Sequence, residues 1–219
     1  MGSLQWKGRC IIIIRSFDTE STDLSASWGR ILCASFVDMQ GEVFTLRGDR
    51  RPHDLPPSGH AKHIPGVEIV DDSKLCVAIR DTLEEADIIV GWNSILHDIP
   101  LLNARLQVAG ERPYKGKLWP NGGHLDLMFY ATGSAMKLGS KSLANVSKFY
   151  KLENQKTPLD GKTWQRAATG DRAAMNLVVE HCEADTLVLR DTFPYLAPHV
   201  SKFVLPFKAW WRFADQIEL

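Results

Sequence analysis

The sequence predicts an α/β fold in which a mixed sheet is flanked by helices. Two β-like runs, 30–38 and 42–46, are joined by Met39-Gln40-Gly41 and follow an earlier apolar run, which is typical of a three-stranded antiparallel meander. Helical periodicity that starts at Asp71 is followed by a short apolar strand at 87–91 and by another helical segment. Helices that alternate with strands after a meander indicate further, parallel strands in the same sheet.

The first strand is predicted at Cys10-Ile11-Ile12-Ile13-Ile14, since a run of β-branched residues bounded by charge is typical of a buried strand. Segment 49–66 holds four prolines, two glycines and three histidines, which indicates an irregular surface loop. Its histidines have no spacing that supports a metal site: His53, His60 and His63. Asp71 or Asp72 is expected to cap the first helix, and Pro100 lies in the first turn of the second.

The C-terminal half predicts a short extended segment at 124–128, an amphipathic helix at 141–152 and a long final helix from Asp171 to Arg190. Beyond this helix, prolines 194 and 198 predict an irregular tail rich in aromatic residues. We therefore expect one domain over residues 1–219, with a core at about 10–195 and a tail at 196–219.

The composition suits a single globular domain, because 219 residues with 44% hydrophobic content can bury a full-sized core. The formal net charge is zero, which argues against a protein that coats duplex DNA and favours local contact with an end or a short single strand. Four cysteines without a CxxC pair indicate reduced thiols, and no apolar segment approaches twenty residues. These features predict a cytoplasmic protein with no membrane contact.

Two carboxylates follow the first predicted strand. Asp18 and Glu20 are two residues apart, so strand alternation places both on one face. Like charges at this separation repel each other, and a divalent cation removes the conflict; oxygen ligands of this kind suit Mg²⁺ or Mn²⁺. A pair of solvated acids at a strand end is the alternative interpretation.

Two further acids lie on other predicted elements. Asp98 is at a strand-to-helix junction, where simple helix capping is the alternative. Asp185 lies in the middle of an apolar helix, and His181 precedes it by four residues on the same face. A surface His–Asp pair would also explain this spacing. Carboxylates from separate elements together with a histidine are what two-metal phosphodiester hydrolysis requires, with histidine as the base.

Three segments, in this order, resemble the exonuclease motifs of the DEDD superfamily: Phe17-Asp18-Thr19-Glu20, 91–102 and 181–185. The resemblance implies a ribonuclease-H-like fold and 3′-to-5′ exonucleolysis with two Mg²⁺ or Mn²⁺ ions. By match, the metal ligands would be Asp18, Glu20, Asp98 and Asp185. His181 stands at the spacing of the tyrosine subfamily, and His97 stands where the family usually has phenylalanine. We assign the base to His181, with Tyr150 and His97 in reserve.

The predicted function is a stand-alone exonuclease that releases nucleoside monophosphates from the 3′ end of DNA, expected to be single-stranded. Main-chain groups from Thr19 to Thr22 are expected to hold the terminal 3′-hydroxyl. Asn93 and the lysine-rich stretch 137–162, which includes Lys141, would bind phosphates. Trp92 is either a base-stacking residue or a core residue.

The preference for DNA rests on the similarity of the second motif to proofreading domains of family B polymerases, so a polymerase or another replication protein is a candidate partner. A 3′-to-5′ exoribonuclease is one alternative function. Another is a catalytically silent module that recruits a polymerase or helicase. A structural zinc site is disfavoured, because carboxylate-rich sets suit Mg²⁺ or Mn²⁺ better.

Overall fold

A six-stranded mixed sheet forms the centre of the computed structural model, which describes residues 13–49, 61–63, 71–114, 123–134 and 136–199. Its strands are, in chain order, β1 (Ile14–Ser21), β2 (Ile31–Asp38), β3 (Val43–Arg47), β4 (Ala61–His63), β5 (Ile88–Gly91) and β6 (His124–Asp126). Their spatial order is β4-β3-β2-β1-β5-β6. Strands β1, β2 and β3 are antiparallel, whereas β5 runs parallel to β1 and β6, and β4 runs parallel to β3. The predicted meander with added parallel strands is confirmed.

The first strand lies further along the chain than predicted. It begins at Ile14, and Ile13 before it is 38% exposed; residues 10–12 lie outside the described part of the chain. Pairing with β2 determines where β1 ends, because the two strands are paired as far as Ser21. Asp18 and Glu20 therefore lie within the strand and not beyond its end.

The segment predicted as an irregular loop contains a strand. Residues 61–63 form β4, which pairs with Thr45–Arg47 of β3. His63 belongs to this strand, whereas His53 and His60 lie outside the described residues.

The helices in chain order are α1 (Ser73–Glu85), α2 (Asp98–Val108), α3 (Leu127–Phe129), α4 (Leu143–Phe149), α5 (Gly161–Ala168) and α6 (Arg172–Leu196). A π-helical turn at Tyr130–Ser134 follows α3, and a 3₁₀ turn at Ala197–His199 follows α6. None of these described helices combines the length and apolar character needed to span a bilayer.

Three helices differ from the prediction. Helix α4 is shorter than the predicted 141–152, and α5 was not predicted because its sequence is largely polar around Trp164. Helix α6 continues through Pro194 and ends at Leu196, so the tail turns irregular later than expected; residues 200–219 lie outside the described part. Of the two predicted caps, Asp71 accepts a hydrogen bond from Ser73 N at 2.9 Å, whereas the carboxylate of Asp72 accepts from Ile31 N and the Arg105 guanidinium.

Helices cover both faces of the sheet, and the side-chain alternation of β1 decides which residues each face receives. Phe17 packs with residues of α1 and α2 on one face. Cys182 of α6 packs on the other face, against Leu32 and Cys33 of β2. Asp18 and Glu20 point to the α6 face, because they alternate with Phe17.

Candidate active site

The carboxylates of β1 lie directly against α6. Asp18 and Glu20 occupy consecutive positions on one face of the strand, and a β-bulge follows between Glu20 and Ser21. The Cys182 thiol of α6 donates to Asp18 O at 3.4 Å and lies 3.9 Å from Asp18 Oδ2. Helix α6 therefore crosses the sheet beside these two acids.

One turn of α6 brings a histidine and a third acid to the same place. His181 Nε2 lies 3.7 Å from Glu20 Oε1 and 3.8 Å from Asp185 Oδ2. All three side chains are buried. The structure thus brings Glu20 to His181 and Asp185, the pair that the four-residue interval placed on one helix face.

Asp98 approaches β1 from the start of α2. It is the first residue of α2 and is buried, and its Oδ1 accepts a hydrogen bond from Thr19 Oγ1. Its charge raises the pKa of Asp18, as burial also does. Asp98 therefore interacts electrostatically with Asp18, and its carboxylate is bonded to Thr19, the residue between Asp18 and Glu20.

Three residues that the sequence did not single out hold this cluster in place. Lys156 Nζ forms an ion pair with Asp185 Oδ2, and Thr157 Oγ1 lies 2.8 Å from His181 Nδ1. Trp164 Nε1 donates to Glu20 Oε2 at 2.7 Å, and its ring packs edge-on against the imidazole at 5.6 Å. All three come from the loop before α5 or from α5 itself. A lone tryptophan in a polar stretch was the one signal that could have drawn attention to this segment.

Burial and mutual repulsion govern the protonation of the site. Burial raises the pKa of Asp18 well above its ordinary value, and the charges of Asp98, Glu20 and Asp185 raise it further. Burial also raises the pKa of Glu20 to about 7, against the hydrogen bond from the indole of Trp164. Four acids thus share a buried region in which a positive charge is strongly favoured.

The pKa values of three further groups of the site, Asp98, His181 and Lys156, are also shifted. Burial raises the pKa of Asp98, although the hydrogen bond from Thr19 opposes this effect. Burial lowers the pKa of His181, so the neutral imidazole is favoured at neutral pH. Burial works against the charge of Lys156, but the neighbouring carboxylates outweigh it and raise the pKa of this lysine.

The donor set fits a hard divalent cation. Ligand atoms of Glu20, His181 and Asp185 lie within 4.8 Å of one another, as do those of Asp18, Glu20 and Cys182. Asp185 Oδ1 is buried and finds no hydrogen-bond donor among the described residues, which leaves a free acceptor on a residue of the cluster. Carboxylate oxygens of this kind suit Mg²⁺ or Mn²⁺. Burial raises the pKa of the Cys182 thiol, which favours its protonated form in the metal-free protein.

The predicted substrate-binding residues are more scattered. Thr22 pairs with Arg30 through two hydrogen bonds and closes the β1–β2 connection. Trp92 is half-buried in apolar clusters and donates its indole N–H to Lys141 O at 2.9 Å, so its described contacts are those of a packing residue. The Lys141 side chain is exposed. Thr19 contacts Asp98, as described above.

A buried aspartate that the sequence did not identify organises the approach to α2. Asp126, at the end of β6, accepts hydrogen bonds from the backbone amides of Asn93, Ile95 and Met128 at 2.9, 3.1 and 3.2 Å. Asn93 itself has a left-handed backbone conformation with φ of 59°. These bonds fix the connection that carries Asp98 to the end of β1.

The two reserve candidates for the base have different surroundings. The Tyr150 ring stacks on Tyr195 with the centroids 4.3 Å apart, and the described contacts of Tyr150 include no carboxylate of the cluster. His97 directly precedes Asp98, and its charge lowers the pKa of that acid against the larger effect of burial. Of the three candidates, His181 makes the described contacts with both Glu20 and Asp185.

Comparison with known proteins identifies the family. A family model described as the RNase_H superfamily matches residues 16–196, a range that includes all five predicted catalytic residues. Comparison with the curated proteins gave no significant match. A domain of this superfamily suggests a nuclease or nucleic-acid-binding function. Because the match covers most of its length, the chain belongs to the RNase H superfamily.

Proposed function

We propose that the protein is a 3′-to-5′ exonuclease of the DEDD type that hydrolyses DNA and releases nucleoside monophosphates. The observation that supports this proposal best is the convergence of the acids with a neutral histidine. His181 Nε2 lies within 4 Å of both Glu20 and Asp185, and Asp18 and Asp98 interact with the same cluster through charge.

The acids would hold two Mg²⁺ or Mn²⁺ ions through the carboxylates of Asp18, Glu20, Asp98 and Asp185. When bound, such ions stabilise the negative charge of the scissile phosphate and lower the pKa of the attacking water. The raised pKa of Glu20 supports a site that needs added positive charge, as does Asp185 Oδ1, for which the described part of the chain supplies no donor.

His181 would accept the proton of the attacking water. Its lowered pKa favours the neutral ring, and Thr157 holds Nδ1 so that Nε2 faces the carboxylates. If Nδ1–H donates to the threonine oxygen, the lone pair of Nε2 is free to take the proton. Lys156 places a cation on the same side, where it would attract the phosphate.

The direct test uses a single strand labelled at its 3′ end and another labelled at its 5′ end, each as DNA and as RNA, with Mn²⁺. We expect labelled mononucleotide from the first and a ladder of shortened strands from the second, with DNA degraded faster than RNA. Faster degradation of RNA would assign the protein as an exoribonuclease. No metal-dependent release by a folded protein would favour a silent nucleic-acid-binding module.

Two variants test the assigned roles. Asp185→Ala is expected to abolish release while the fold is kept, because its partner Lys156 has a side chain 36% exposed and can turn towards water. His181→Ala should lower the rate near neutral pH by about 10²- to 10⁴-fold. The matched control is Glu180→Ala, which removes an exposed acid of the same helix. Full activity of the histidine variant would rule out His181 as the base.

A further inference from the structure

The turn between β1 and β2 exposes two large apolar side chains. Trp28 is 84% exposed and Leu24 is 80% exposed. The other tryptophans of the described residues, Trp92 and Trp164, are half-buried and donate their indole N–H to protein acceptors. A tryptophan is usually largely buried, so an indole left in water beside a second apolar residue marks a contact surface.

Local hydrogen bonds hold this turn in a defined shape. Asp23 Oδ1 accepts from Ser25 N at 2.8 Å, and Ser25 O accepts from Trp28 N at 3.1 Å and from Gly29 N at 2.7 Å. A Cβ on Gly29 would lie only 2.6 Å from Asp23 O, so glycine permits this close turn. The backbone under the exposed indole is thus fixed before any partner binds, which lowers the entropy cost of binding.

The turn is continuous with the candidate active site. Thr22 and Arg30 pair at its base, two residues beyond Glu20, which is about 7 Å along a strand that rises about 3.4 Å per residue. The Arg30 guanidinium donates to Ala168 O of α5, the helix whose Trp164 holds Glu20. Both ends of the turn are therefore tied to elements that position the acids.

Arg30 closes the turn with a cation, and α5, to which Arg30 is bonded, carries another. Lys162 of α5 is exposed, and Lys156 reaches the cluster from the preceding loop. A flat apolar ring on a turn that is closed by an arginine and bonded to a lysine-bearing helix suits a strand whose bases stack and whose phosphates are negative. An apolar peptide would use the indole but would gain nothing from the lysines, so the charges favour nucleic acid.

We propose that Trp28 is a stacking platform for a base of single-stranded nucleic acid, a few nucleotides from the phosphate that is cut. This inference rests on the proposed nuclease function. The turn recognises an unpaired base of the substrate that lies beyond the terminal nucleotide.

The test compares two substrates in the full-length protein with Mn²⁺. One is a thymidine oligonucleotide, and the other is thymidine 5′-(p-nitrophenyl phosphate), which carries a single base. Trp28→Ala should raise KM for the oligonucleotide by about 5- to 160-fold, the range expected for the loss of one stacked base. The same variant should hydrolyse the nitrophenyl ester at the wild-type rate. Trp28→Phe should restore most of the affinity, because it keeps an aromatic ring.

The outcomes separate failure of this inference from failure of the proposed function. An unchanged KM for the oligonucleotide, or an equal loss on both substrates, would overturn the stacking role and leave a protein partner as the occupant of the turn. Leu177→Ala removes another exposed apolar side chain and should change neither substrate. If the wild-type protein hydrolyses neither substrate, the nuclease proposal fails by itself. Stacking is then tested by binding: Trp28→Ala must weaken binding of a labelled thymidine strand but not of an abasic strand of equal length.

Discussion

The metal-free protein should lose stability as the pH rises from 4.5 to 7, and Glu20 should account for much of this loss. Burial raises the pKa of this carboxyl from 4.5 to about 7 in the folded protein. Between these values the folded state keeps a proton that the unfolded chain has released, so the free energy of unfolding falls as the pH rises through this window. Above pH 7 the contribution of Glu20 no longer changes.

The size of the effect follows from the difference between the two pKa values. At about 1.36 kcal/mol for each pH unit, the interval from 4.5 to about 7 corresponds to about 3 kcal/mol. Glu20→Gln removes the titration but keeps a side-chain oxygen for the indole N–H of Trp164. The variant should therefore match the wild type near pH 4 and be more stable by up to about 3 kcal/mol at pH 7.5.

Urea unfolding of both proteins at pH 4, 5.5 and 7.5, with EDTA present, measures this difference directly. His181 has the opposite effect, because its lowered pKa makes stability rise with pH up to the ordinary pKa of histidine. Subtracting the unfolding free energies of the two proteins at each pH removes this effect. Glu180→Gln removes an exposed acid of α6 and serves as the matched control. A stability difference between Glu20→Gln and wild type that does not vary with pH would refute the electrostatic reasoning.

Further predictions concern the residues around the cluster. Lys156→Met should raise the affinity for Mn²⁺ by about 10-fold or more in calorimetric titration, because it removes a positive charge that competes for a buried carboxylate. Lys148→Met, which removes an exposed lysine, is the control and should leave the affinity unchanged. Thr157→Val should lower kcat by about 10- to 100-fold with little change in KM, and Thr157→Ser should restore it, because a hydroxyl at this position orients His181. Asp126→Ala should lower the free energy of unfolding in urea by about 2 kcal/mol or more, since it leaves three backbone amides without their acceptor.

Patterns that repeat over a short stretch of chain predicted most of the fold. The hairpin of β2 and β3, the strand β5 and the helices α1, α2 and α6 each show such a pattern in their own residues. The proximity of His181 and Asp185 was predictable for the same reason, because an interval of four residues places both on one helix face. The position of β1 was not predictable in this way, because pairing with β2 extends the strand past the apolar run to Ser21.

The sequence did not predict the contacts that depend on the path of a loop. Lys156 counted as one of six lysines in a basic stretch, and nothing local shows that its ammonium group reaches Asp185. Trp92 and Trp164 illustrate the same limit. The tryptophan next to the second motif packs against apolar residues, whereas the one in an unpredicted helix binds Glu20.

The segment from Lys156 to Trp164 stabilises the charged side chains of the site and also orients them. It contacts three of the cluster residues, and each contact has a different effect on the buried, charged site. Lys156 offsets the charge of one acid, Trp164 gives another a hydrogen bond that opposes the rise in its pKa, and Thr157 orients the histidine. Because the strand and α6 bring several acids together without enough positive charge of their own, the acids depend on this segment and on cations to be held side by side.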